Sequence, residues 1–219
     1  MVDFSDDEKR AVYRAIYERR DVRSHFLPDP VPDDLLLRIL DAAHHAPSVG
    51  FMQPWDFIVI RDVSIREEIR ANFERSNRAA AAIYEGEKRD LYDSLKLAAI
   101  VDAPLNLCVT CDHLRTKGAG LGRQSNPSTD LYSTVCAVEN LWLAARAESL
   151  GVGWVSILDT EALKATLEIP AHVTPVAYLC IGYVSEFGPA PELEIRGWEQ
   201  RESLASLIHI DCWANRAGF

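Results

Sequence analysis

The chain has 219 residues, 48% of them hydrophobic and 26% charged, which suffices for a single domain over residues 1–219 with a sizeable core. Its formal net charge of −10 disfavours nucleic acid and anionic membrane as partners, because both repel an acidic surface. No apolar run approaches the length of a bilayer span, and the acidic start, Met1 to Glu8, has no signal-peptide core, so the expected location is cytoplasmic.

Ser5-Asp6-Asp7-Glu8 has the form of a capping box, and Val12, Ala15 and Ile16 follow on one helical stripe. The spacing predicts a first helix over about residues 6–19, with Arg19-Arg20-Asp21-Val22-Arg23 delivered at its end. Three guanidinium groups in five residues offer planar forks that suit a phosphate or an anionic ring edge. On an acidic chain they read as a small-anion site rather than a polyanion track. Asp21 in their midst is either a counter-ion to Arg19 or Arg23, or a proton-transfer group held in place. Pro28, Pro30 and Pro32 then forbid regular structure until a second helix near Asp33 to Ala46, where Leu36, Ile39, Leu40 and Ala43 recur at helical spacing. Pro47 stops it.

Ser48-Val49-Gly50-Phe51-Met52-Gln53-Pro54-Trp55 reads as a loop, and Phe57 to Ile60 as a short buried strand. A second capping-box pattern, Ser64-Ile65-Arg66-Glu67, opens a helix expected to reach about Tyr84. Gly86 marks a break in a charged stretch, followed by a further helix over about 91–101 and then Pro104. Leu105 to Thr110 is a second buried strand, and Lys117 to Pro127, rich in Gly, Ser and Asn, is a loop. The longest helix spans about Ser128 to Leu150; Ser128, Thr129 or Asp130 can cap it and Gly151 closes it. Gly153 to Leu158 and Val176 to Ile181 are the third and fourth strands, with a short helix near Thr160 to Leu167 between them. From about residue 188 the composition turns to Pro, Glu and Trp, an extended tail with a weakly apolar segment at Leu204 to Ile208. Strands separated by helices, with two helices before the first strand, predict α+β or three-layer α/β/α packing.

Five cysteines, Cys108, Cys111, Cys136, Cys180 and Cys212, are an odd number spread over apolar segments and fit reduced core thiols. Cys108 and Cys111 form a C-x-x-C with His113 close by, but on a strand residues three apart face opposite sides. No second such pair completes a zinc site, so no metal is expected. Gly118-Ala119-Gly120-Leu121-Gly122 does not sit between a strand and a helix at dinucleotide-binding spacing and reads as a flexible loop. His44 and His45 adjoin on one helix and cannot share a face. Trp55, Trp142 and Trp154 read as core or interface.

The Arg19–Arg23 motif, Ala46-Pro47-Ser48 and Gln53-Pro54-Trp55 together resemble the start of the flavin nitroreductase superfamily. More narrowly, the chain resembles the branch of that superfamily that destroys its flavin. The features that carry this are Asp21, where typical members have Ser, then Ser48 to Met52, Ser94-Leu95-Lys96-Leu97, Gly122-Arg123, and Asp130-Leu131-Tyr132-Ser133. Asn140 to Glu148 and Gly151 to Ser156 complete the set, over roughly residues 15 to 205.

That resemblance implies an α+β, nitroreductase-like FMN-binding fold, a central mixed sheet flanked by helices, in a homodimer with two flavin sites built from both chains. The implied reaction is the oxygen-dependent fragmentation of reduced FMN to 5,6-dimethylbenzimidazole, the lower ligand of vitamin B12, and erythrose 4-phosphate. Reduced FMN is then substrate as well as flavin, O2 the co-substrate, and a separate flavin reductase the supplier. By position Asp21 and Ser156 matter for turnover, and Arg19, Arg20, Asp21, Val22, Arg23, Pro47, Ser48, Gly50, Gln53 and Ser156 bind FMN. Arg23 falls to the N1/O2 edge of the flavin and Arg19, with Arg20, to the phosphate. Arg201 matches a C-terminal phosphate-binding cation, while Glu199 stands where a second cation is often found. Lys96 and Arg123 receive no flavin role. Two other functions remain open: an FMN-dependent NAD(P)H nitroreductase, and a flavin-binding protein without turnover. Val49, Phe51 and Met52 replace polar residues of the usual nitroreductase loop, which makes the pocket more apolar and disfavours exchange of diverse substrates.

Overall fold

The computed structural model describes residues 3–216. It divides into two compact units, one ending at Phe187 and one beginning at Gly188. In the first, strands β1 (Trp55–Ile60), β2 (Leu105–Asp112), β3 (Leu150–Val155) and β4 (Val173–Tyr183) form one sheet in the order β1-β2-β4-β3. Every ladder in it is antiparallel. The expected mixed sheet is therefore corrected. Parallel pairing reduces, among the described residues, to one bridge between Asp21 and Val152. The chain leaving α1 (Asp6–Glu18) bends at Ser24 and bridges again only at Phe26, to Val184, so no fifth strand develops.

The sheet is the middle of three layers. Alternation along β2 sends Leu105, Leu107 and Val109 to one face, where they pack with α2 (Asp33–His44) and α5 (Thr129–Ala147). Cys108, with Tyr178 and Cys180 of β4, faces the other way, against α3 (Val63–Ala81) and α6 (Thr160–Thr166). Burial on both faces covers β2 from Leu105 to Cys111, including the polar Asn106, whose Oδ1 accepts from the Tyr178 hydroxyl. Helix α5 buries Ala137, Val138, Leu141 and Ala145 against the sheet. Helix α1 buries no residue at all, yet its capping box is fully formed at Ser5 and Glu8.

Several boundaries differ from the sequence expectation for local reasons. Asp62, not Ser64, caps α3: its carboxylate accepts from Ser64 N and Ile65 N, and a carboxylate is the stronger acceptor. The next helix, α4 (Gly86–Ser94), lies earlier than the expected 91–101, its first residue Gly86 holding left-handed backbone (φ +54°), and residues 95–104 form no further helix. Ser128 precedes α5 without a side-chain cap. At the other end of α5, Ser149 takes the left-handed turn (φ 63°), which frees Gly151 to lie inside β3. The strand ends at Val155, one residue before Ser156. The second unit, expected to be extended, contains helix α7 (Glu192–Ile195) and a 3-10 turn at Leu204–Leu207. Local bonds such as Arg196 N to Glu192 O (2.9 Å) close the first of these turns.

Candidate flavin site

Asp21 is fixed at both carboxylate oxygens. Oδ1 accepts the backbone N–H of Trp154 at 2.9 Å, and Oδ2 accepts from the Arg23 guanidinium. The backbone around it is tied to β3 as well, through Val22 N to Val152 O at 2.9 Å. This close approach needs a residue without a side chain opposite: a Cβ on Gly153 would lie 2.1 Å from Val22 O. Sequence reasoning expected Asp21 to be either a counter-ion or a proton-transfer group. It is Arg23's counter-ion, and the same contacts hold a carboxylate with spare lone pairs in one orientation, so the second role stays available.

Arg23 is mostly buried, its side chain 14% exposed, and its Nε is buried with no hydrogen-bond partner. Buried donors are almost always satisfied, so an unused one on a guanidinium calls for an anionic or carbonyl edge. That is the observation by which the site fits a flavin ring. Arg19 lies over the Trp142 ring, 4.6 Å from its centroid, and 3.7 Å from Glu139. Arg20 turns back onto the end of α1, donating to Tyr17 O and Arg19 O, each at 2.8 Å. Its position suits helix termination, where cations meet unpaired carbonyls, at least as well as a phosphate. Val22 is buried and anchors the segment.

Ser156 is exposed, two residues after Trp154 and so about 7 Å further along an extended chain. It borders a cavity of about 220 Å³ together with Trp154, Leu158, Thr160, Pro175 and Tyr178. Asp21 and Ser156 thus belong to one end of β3.

The loop after α2 forms a second group. Ser48 Oγ accepts Gln53 N at 3.1 Å, while Val49 N donates to Ser133 Oγ of α5 at 3.1 Å. Gly50, Phe51 and Gln53 all adopt positive φ, between 50° and 54°. The glycine-rich stretch at 118–122 is not a separate flexible loop but packs on this one: a Cβ on Gly118 would stand 2.0 Å from Gly50 O. Lys117 lies over the Phe51 ring and donates to Gln53 Oε1. Pro47 is exposed at the loop's start. The two groups meet different parts of α5, one at Ser133 and the other at Trp142, about 14 Å apart along the helix. Arg201 belongs to the second unit, where it is exposed.

Trp154 N–H, Ser133 and Lys117 are the contacts the sequence did not announce; each acts over 64 or more residues, beyond any local pattern. The cysteines are all free, as expected, though Cys212 is exposed rather than in the core. Among the described residues one group, Cys111, His113 and Asp130, brings three possible metal-ligand atoms within 4.8 Å of one another. Both His113 nitrogens are engaged, Nδ1 with Asp130 Oδ2 and Nε2 with Thr174 Oγ1, each at 2.8 Å. Arg123 Nε lies 3.6 Å from the same Asp130 oxygen, which opposes a cation there. No helix among the described residues is long and apolar enough to cross a membrane.

The model of the nitroreductase family matches residues 16–183. A 5,6-dimethylbenzimidazole synthase of Rhodospirillum rubrum is 49% identical over 183 residues, covering 84% of this chain and 86% of the relative. One from Rhodobacter capsulatus is 40% identical over 199 residues, covering 91% and 96%. Among solved structures, an iodotyrosine deiodinase bound to FMN and 3-iodo-L-tyrosine superposes with a TM-score of 0.71 at 22% identity, covering 88% of this chain and 96% of that one. NfrA2 of B. megaterium gives 0.68 at 21% identity, covering 93% and 75%. At such identities these two structures speak for the fold alone.

Proposed function

The chain belongs to the nitroreductase family, and from that premise we propose that it is a 5,6-dimethylbenzimidazole synthase, an oxidoreductase that fragments reduced FMN with O2. The carrying observation is its identity to the two synthases over nearly their whole lengths. The doubly held carboxylate of Asp21 supports the reading from the side of geometry, because a positioned acid–base group suits a reaction that must move several protons.

In this reading reduced FMN is the substrate and supplies the ring that becomes 5,6-dimethylbenzimidazole, with erythrose 4-phosphate as the other product. Asp21 accepts and returns protons while Trp154 N–H and Arg23 keep its orientation. The free Nε of Arg23 binds the anionic N1/O2 edge. Arg19 takes the phosphate, sharing its stack on Trp142. The Ser156 hydroxyl donates to or accepts from a ring nitrogen. The protein works as a homodimer, with Pro47, Ser48, Gly50 and Gln53 of one subunit completing the site whose Arg19–Arg23 segment and Ser156 come from the other. The segment from Gly188 packs on the partner subunit, and a separate flavin reductase delivers the substrate.

A single-turnover experiment tests this. Protein is mixed with chemically reduced FMN under anaerobic conditions, air is admitted, and 5,6-dimethylbenzimidazole is sought by mass spectrometry. The expected result is its formation with loss of an equivalent of FMN. Full recovery of oxidised FMN would overturn the reading in favour of a recycled flavin, and NADPH oxidation would then separate a nitroreductase from a flavin carrier.

A further inference from the structure

The loop at 48–53 poses an energetic problem. Phe51 and Gln53 both hold left-handed backbone, which is costly for non-glycine residues and persists only where the surroundings over-determine it. Ser48 and Ser133 supply part of that restraint. The rest comes from residues 113–122. Arg115 donates to Gln53 O at 2.6 Å and Trp55 O at 3.0 Å, Lys117 donates to Gln53 Oε1, and Gly118 lies against the backbone of Gly50.

That second segment is itself irregular, with Ala119 at φ 50°, and is anchored from beneath. Asp130, in the first turn of α5, has a side chain only 1% exposed. Its Oδ1 accepts Leu131 N at 2.7 Å, and its Oδ2 faces both His113 Nδ1 and Arg123 Nε. A carboxylate only accepts, so His113 Nδ1 carries the proton. His113 Nε2 reaches Thr174 of β4, and the Arg123 guanidinium donates to His113 O, closing the segment at both ends. A carboxylate at a helix N-terminus, buried and shared by an imidazole and a guanidinium, makes a rigid post.

We propose that the Asp130–His113–Arg123 cluster is a positioning device that holds residues 113–123, and through them the strained 48–53 loop, in the conformation that receives flavin. This gives Arg123 a structural task in place of flavin contact and rests on the assignment of the 48–53 loop to flavin binding. Neither Asp130 nor His113 acts on the reacting atoms.

Arg123→Gln is the first variant, since Arg123 is part-exposed and its loss leaves the core untouched. Hydrogen exchange of the FMN-free protein should show amides of both 116–122 and 48–53 exchanging about tenfold faster, with residues 20–23 unchanged. KM for reduced FMN should rise about tenfold while kcat holds, the signature of lost binding rather than lost chemistry. Arg123→Lys, which keeps charge but not the fork, should restore part of the affinity and serves if the first variant folds poorly. Faster exchange confined to 116–122, with 48–53 protected and FMN binding unchanged, would overturn the inference alone. Wild-type protein that binds no FMN would overturn the flavin-loop assignment, and the inference with it.

Discussion

At the residue scale, Asp21 separates holding from chemistry. Asn at this position keeps an oxygen for Trp154 N–H, so the segment should stay on β3 and FMN should still bind, while product formation falls to background. Titration of FMN fluorescence together with product mass spectrometry checks both halves, and normal product yield would remove Asp21 from the mechanism. Arg23→Ala should weaken reduced FMN more than oxidised FMN, because only the reduced ring brings a negative charge to the guanidinium. Equal losses in a redox-controlled binding assay would count against the N1 edge. The pairing of Asp21 with Arg23 was legible, two residues apart in a charged motif. The N–H of Trp154, 133 residues away, was not, and it is that bond which turns a charged helix end into a fixed group on a sheet edge.

At the scale of elements, the apolar spacing of α2 and the capping box of α1 were readable because each is a local pattern with a single physical outcome. Competing local signals misled at Ser64, where Asp62 offers the better cap, and at Gly151, where Ser149 accepts the left-handed turn. Gly153 shows what local patterns miss: Gly153→Ala should push Arg20 to Arg23 off β3, lowering Tm and FMN affinity together, as differential scanning fluorimetry with and without FMN would record. The strands also carry a pH signature. Burial pushes the Cys108 and Cys180 thiols up to about 12 and Cys111 to about 11, from an ordinary 9.0. Folded protein therefore keeps these protons where the unfolded chain loses them. Their contribution is fully present below pH 9 and is lost as pH rises from there towards 11–12, at about 1.4 kcal/mol per pH unit for each thiol. Urea midpoints of reduced protein between pH 7 and 10.5 should fall accordingly, and Cys180→Ala should flatten the slope.

At the scale of the whole molecule, the two groups of candidate flavin residues contact different parts of α5, one at Ser133 and the other at Trp142. If a site takes Arg19–Arg23 from one subunit and the 48–53 loop from the other, lesions in the two groups must complement each other. Asp21→Asn protein abolishes chemistry, and Gly50→Val protein spoils the loop, because a Cβ on Gly50 would lie 2.9 Å from Leu121 O at a backbone with φ +54°. A mixed dimer of the two then has one site carrying both lesions and one site carrying neither. Random exchange of subunits in equal mixtures makes half of the dimers mixed, so about a quarter of wild-type activity should return. Sites built within single chains would leave every site with one lesion and return none. Co-refolding the two variants and measuring 5,6-dimethylbenzimidazole formation distinguishes these outcomes, and it does so without any assumption about where the residues from Gly188 onward lie.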